Sequence, residues 1–246
     1  MISIIDLIND ASISMNDQYV LECIRNGFLN AKSNDAYNLN APNKKNPSMG
    51  QAQLLIKLLK NKTNGFFVEC GALDGETRSN TLYMERFLVG KVSLLKLILL
   101  ITESWRQKIG KLGRYLPALA LNPIPVTFEM RRNQGRIAKN QGNRSVKRGE
   151  VQVQCFPLYS ILLALNQTVV DYFSLDVEGA ELGVLRTIPF DKIDIKTLSV
   201  EFIHSAEGKA AIREHMEDRG YKMVQEITHP DWLANDFIFV KESLLV

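Results

Sequence analysis

Three histidines and three cysteines are all that this 246-residue chain offers toward zinc or thiol chemistry, and they are scattered. Cys23, Cys70 and Cys155 are an odd number in distant contexts, the last two beside strand-like runs. That argues for buried free thiols and against a disulfide framework. No H-E-x-x-H, paired C-x-x-C or Walker A pattern occurs, so zinc hydrolase and P-loop readings have no support, and no metal site is expected. G-x-S-x-G is absent as well, which disfavours a serine hydrolase. An excess of one charge is also lacking. Thirty basic residues stand against 27 acidic ones, a net +3 that gives no general argument for nucleic acid or a membrane surface. Repeats and low-complexity segments are missing. The strongly apolar run Val92–Ile101 is interrupted by Lys96 and too short for a bilayer, which takes about 20 residues. Met1–Ile8 carries Asp6 and no basic flank, so neither a signal peptide nor a transmembrane segment is expected in the chain. A cytoplasmic or endomembrane-associated location follows.

What is present suits one α/β domain. The apolar fraction of 46% is enough for a buried core. Residues 1–50 read as a helical and loop extension, and residues 51–246 as the domain. Asp17–Leu29 places Val20, Leu21, Ile24 and Phe28 on one helical face. Ser33–Ser48 is loop, and Ser48 can cap a helix running to about Leu59. Phe66–Cys70 reads as a buried strand, Gly71–Gly75 as a turn and Thr77–Phe87 as a helix. Further strands are expected at Val126–Glu129, Val151–Phe156, Tyr172–Asp176 and Thr197–Phe202, with helices at Leu158–Leu165, Ala180–Ile188 and Ala206–Arg219. Alternating strands and helices predict a mainly parallel sheet. Tyr221–Val224 and Phe237–Lys241 have no helix between them and should close it as an antiparallel pair. The basic stretch Arg131–Arg148 reads as a solvated loop, with an anionic contact as the alternative, and Asn61, Asn143 and Asn166 begin sequons that matter only on a secretory route.

Two constellations carry chemistry. In Glu69-x-Gly71-x-x-Asp74-Gly75, glycines at the carboxyl end of the first strand let a cofactor approach the backbone, and the acid can accept from a cofactor amine or hydroxyl. A plain strand-to-helix turn is the bland alternative. A nicotinamide enzyme is disfavoured, because G-x-G-x-x-G is not met. In Asp176-Val177-Glu178-Gly179-Ala180-Glu181, Asp176 ends a strand and lies on the rim where doubly wound sheets bind ligands. It can equally cap the following helix, with Glu178 and Glu181 favoured by the helix dipole. A Mg²⁺ site from these oxygens is a further option. His204 follows the strand Thr197–Phe202 on the same rim and is a candidate general base, with a loop histidine as its alternative.

Phe66–Thr81, Gln154–Leu163, Tyr172–Leu185, Leu198–His204 and Trp232–Phe237 together resemble the FkbM methyltransferase domain over roughly Pro47–Lys241, in a Star-like invertebrate branch. The resemblance implies a class I, Rossmann-like fold of seven strands and S-adenosylmethionine as cofactor. It implies Glu69, Gly71, Asp74, Gly75, Asp176 and Glu178 as cofactor-binding residues. It implies transfer to a hydroxyl of a small molecule or glycan. The Star-like branch implies, alternatively, a non-catalytic domain acting on membrane cargo proteins, the precursors of growth factors, in endomembrane trafficking.

One segment departs from that pattern. A ribose-binding acid belongs at the end of the second strand, about 20 residues past the glycines, and no acid occurs between Glu85 and Glu103. Lys91–Leu112 is apolar and basic instead. Codons that each take the last base of one written codon and the first two of the next can encode GLIVEADPLNYGKLAAKNRKAW over that segment. That string has a strand, an EADP turn and an amphipathic helix. Lys91 to about Arg114 therefore reads as a frameshifted translation, and the second strand as disrupted.

Overall fold

The computed structural model describes residues 13–29, 36–71, 74–88, 95–97, 125–129, 136–137, 147–148, 150–231 and 233–245. In chain order, α1 (Gln18–Cys23) runs into a π-helical turn (Ile24–Phe28). Then come α2 (Gln51–Leu58), β1 (Phe67–Cys70), α3 (Leu82–Phe87), β2 (Leu95–Leu97), β3 (Pro125–Glu129), β4 (Arg136–Ile137) and β5 (Glu150–Gln154). The second half holds α4 (Leu158–Ala164), β6 (Val169–Leu175), α5 (Glu181–Arg186), β7 (Asp194–Glu201), α6 (Gly208–Glu217), β8 (Tyr221–Thr228) and β9 (Asn235–Lys241).

Six strands form the main sheet in the order β2-β1-β6-β7-β9-β8. The first four are parallel, β9 runs antiparallel to β7, and β8 antiparallel to β9. This is the expected α/β architecture with its closing antiparallel pair. β1 and β6 read as near-continuous apolar runs because the sheet is covered on both faces. Val68, Phe173, Leu175, Leu198, Val200 and Phe239 face one cluster, with Ile161 of α4, Leu185 of α5 and Ile212 of α6. Phe67, Tyr172 and Ile238 face the other, with Ala52 and Leu55 of α2. Burying one such aliphatic or aromatic side chain stabilises by about 1.5–3 kcal/mol.

Three expectations need correction. Val126–Glu129 and Val151–Phe156 are extended as read, but β3 and β5 belong to a separate three-stranded antiparallel sheet with β4. Thr77–Phe87 is not helical throughout. The helix begins at Leu82, because the Ser79, Asn80 and Thr81 groups turn back onto Glu69. The edge beside β1 is not empty either. Leu95-Lys96-Leu97 lies there, parallel to β1, with Val68, Glu69 and Cys70 opposite. Most of Lys91–Leu112, most of Arg131–Arg148 and Trp232 lie outside the described residues. Ser48 assists its helix from two residues before the Gly50 cap: its Oγ accepts from the Ala52 N–H at 3.0 Å.

Candidate functional site

The turn after β1 and the turn after β6 touch. Gly71 has φ +82°, and a Cβ built on it would lie 2.0 Å from the Asp176 carbonyl oxygen. Only glycine fits there. Glu69, buried on β1, accepts from Ser79 Oγ (2.9 Å), the Asn80 N–H (2.6 Å) and Thr81 Oγ1 (2.5 Å). It thereby closes the loop that follows Gly71. Asp74 accepts from the Glu76 and Thr77 N–H groups and from Thr77 Oγ1. Gly75 has φ +80°. Glu76 reaches the other way and accepts from the Asn40 and Ala41 N–H groups at 2.8 and 2.7 Å. The segment before α2 is thus tied to the glycine turn.

The second turn is built around Glu178, which holds φ +54°. A left-handed residue other than glycine costs roughly 1–2 kcal/mol. The carboxylate of Glu181, fully buried, offsets this by accepting from the Val177 N–H (2.8 Å) and the Gly179 N–H (3.1 Å). Gly179 lets the turn lie against the loop after β7, since a Cβ there would meet the His204 carbonyl oxygen at 2.9 Å. His204 Nδ1 sits 3.1 and 3.2 Å from the two oxygens of Glu201 and 3.1 Å from Glu178 Oε2.

Two site acids lie in segments that carry the resemblance, Leu198–His204 and Trp232–Phe237, but sequence reasoning gave neither a role in the site. Glu201 ends β7, and Asp236 opposes it in register on β9. Asp236 lies near the start of its strand, and it reaches this rim because β9 runs antiparallel. The expectation of an antiparallel closing pair, combined with the rim rule, was the signal that could have found it. Gln51 Nε2 donates to Asp236 Oδ2 at 2.7 Å.

Asp176, Glu178, Glu181, Glu201 and Asp236 therefore meet on one rim. Burial raises the pKa of every one, and neighbouring carboxylates raise those of Asp176, Glu178, Glu201 and Asp236 further, while backbone N–H groups and His204 oppose the rise at Glu181. For Asp176 the order is burial, then Asp236, Glu178 and Glu181, with Arg78 opposing. Glu201 is pushed well up by burial and then by Asp176, Glu181 and Glu178. Asp236 is raised from 3.8 to about 6, chiefly by burial, against the Gln51 hydrogen bond. A rim of this kind favours a cationic ligand. Two groups, Glu178–Glu201–His204 and Asp176–Glu181–Glu201, bring ligand atoms within 4.8 Å of one another and could hold a divalent cation.

The sign of the Asp236 shift gives a prediction. A carboxyl whose folded value is raised stabilises the fold fully below its unfolded value, and that contribution is lost as pH rises through the folded one. The window is therefore about pH 4 to 6, and a shift from 3.8 to about 6 corresponds to roughly 3 kcal/mol. Asp236→Asn keeps an oxygen for Gln51 and removes the titration. Relative to the parent, its unfolding free energy should gain about 2–3 kcal/mol between pH 4 and pH 8 in urea titrations. An equal difference at both pH values would refute the assignment.

The sequence-expected residues Gly71, Asp176, Glu178 and His204 are thus brought together, with Glu69 behind the turn and Asp74 and Gly75 within it. Among the described residues, no helix is long and apolar enough to cross a membrane. A sequence profile described as the Methyltransferase FkbM domain matches residues 69–223. No curated protein matches the sequence. Among solved structures, the chain is similar to a SAM-dependent methyltransferase from Aquifex aeolicus, at 9% identity and a TM-score of 0.35, over 81% of this chain and 92% of that one.

Proposed function

We propose that this chain, which belongs to the Methyltransferase FkbM domain family, is an S-adenosylmethionine-dependent methyltransferase whose acceptor is a hydroxyl. The observation that carries the site assignment is the junction of Gly71 with Asp176: two turns at the carboxyl ends of adjacent parallel strands meet there, beside five carboxylates. The residues fit the charged end of such a cofactor, because an ammonium and a sulfonium are met by acids. Among the described residues none beside β1 offers the ribose a carboxylate, since β2 there is Leu95-Lys96-Leu97. Gly71, Asp74, Gly75, Asp176 and Glu178 would hold the cofactor, with Glu69 fixing the turn. When bound, S-adenosylmethionine would supply an activated methyl group for transfer to the acceptor oxygen. This chain's part is to align the acceptor oxygen, to exclude water and to remove the hydroxyl proton. His204 is the base we assign to that proton.

His204→Asn should reduce methyl transfer from labelled S-adenosylmethionine by about 10²-fold or more. Cofactor affinity should stay the same. Assays belong at about 1 mM cofactor, the upper end of ordinary KM values. Unchanged turnover in the variant would remove His204 from the mechanism. The missing ribose acid favours a second reading, a Star-like domain that binds endomembrane cargo without turnover. Methyl transfer to any hydroxyl acceptor counts against it.

A further inference from the structure

His204 is held from two sides. Its Nδ1 lies 3.1 and 3.2 Å from the oxygens of Glu201 and 3.1 Å from Glu178 Oε2. Those acids come from different elements. Glu201 is the last residue of β7, and Glu178 sits in the left-handed turn after β6. Three oxygens crowd one ring nitrogen. A lone pair on Nδ1 could accept from one hydroxyl proton at most and would repel the remaining oxygens. An N–H there is attracted by all three. The near-equal distances to Glu201 also suit a carboxylate accepting from the ring, since a donating carboxylic acid makes one shorter contact through one oxygen, about 2.5–2.8 Å. Among the described residues, none makes a hydrogen bond to Nε2. The imidazole side chain is 44% exposed, so that nitrogen is reachable.

The geometry points to Glu178 and Glu201 as positioning residues that fix His204 as the Nδ1–H tautomer and leave the Nε2 lone pair for the acceptor hydroxyl. The consequence for the reaction rests on His204 being the base assigned above. The tautomer itself does not. Around the pair stand Glu181, Asp176 and Asp236, with Arg78 the cation acting on Asp176 and Glu178. A hydrogen bond donated by the ring to a carboxylate sets which nitrogen reacts.

The test is ¹⁵N NMR of the histidine rings in the full chain, at a pH where they are neutral and without cofactor or acceptor. The chain has three histidines. His204→Asn assigns the His204 signals by their loss. In the parent, Nδ1 should be the protonated nitrogen and Nε2 the bare one. Glu201→Gln places an amide where the carboxylate was, and the double variant with Glu178→Gln removes both carboxylates and supplies NH2 groups that can donate to a bare Nδ1. The population should then shift to a majority of Nε2–H. Glu201→Asp should restore Nδ1–H. An Nε2–H ring in the parent, or a tautomer indifferent to both variants, overturns the inference. If Glu201→Gln does not fold, Glu178→Gln, on a partly exposed turn, and the parent spectrum still decide it. If the tautomer is as stated while His204→Asn keeps full turnover, the positioning stands and the base assignment fails. If turnover collapses with the opposite tautomer, the reverse holds.

Discussion

Replacing residues 91–112 by GLIVEADPLNYGKLAAKNRKAW should tighten S-adenosylmethionine binding by about 10²- to 10³-fold. The shifted reading places glutamate, alanine and aspartate at positions 95–97. Those are the residues that form β2, parallel to β1, with position 97 opposite Cys70, the residue before Gly71. The written strand, Leu95-Lys96-Leu97, carries no carboxylate to accept from two ribose hydroxyls. A hydrogen bond to a charged group contributes about 1.5–3 kcal/mol, and two such bonds make roughly 3–4 kcal/mol after losses. Each 1.4 kcal/mol is about a factor of ten. Calorimetric titration of both chains reads the difference directly. Low-micromolar binding by the chain as written would contradict the argument, and an unbroken reading frame over Lys91–Leu112 in the locus and its transcript would remove its premise. A failure of both chains to bind would instead count against the cofactor assignment.

Where the site was legible, the reason is local. The strand Phe66–Cys70 followed by Gly71 announces itself, because a run that is apolar but for Glu69 must be buried on both faces and a glycine must follow where two turns collide. Asp176 is found the same way. Where it was not legible, the reason is distance along the chain. Glu201, Asp236 and Gln51 come from three separate elements and meet only after β9 has paired antiparallel with β7. The helix over Thr77–Phe87 was misjudged at its start, since its pattern is helical and the demand of Glu69 on Ser79, Asn80 and Thr81 is tertiary. For β3 and β5, strand character was readable, but alternation does not say which sheet a strand joins.

Gly71→Ala should be the most damaging single methyl group in the molecule, and Gly220→Ala measures how much of the damage belongs to the site. Both glycines are left-handed, at φ +82° and φ +77°. Conformation alone therefore costs each substitution a similar roughly 1–2 kcal/mol. Their surroundings differ. Nothing lies within 4 Å of a Cβ at Gly220, whereas at Gly71 the Asp176 carbonyl oxygen would lie at 2.0 Å and its carbon at 3.0 Å. Both are backbone atoms, so no rotamer relieves the clash. The turns after β1 and β6 must separate, which pulls on the pairing of Cys70 with Leu175 and displaces Asp176. The expected loss is about 4 kcal/mol or more for Gly71→Ala, against about 1 kcal/mol for Gly220→Ala. Denaturant midpoints at constant slope give both numbers. If Gly71→Ala folds at all, cofactor binding should be lost with it, while Gly220→Ala binds as the parent does. Equal losses from the two substitutions would mean that the turns after β1 and β6 do not meet, and the site built on their junction would fall with that contact.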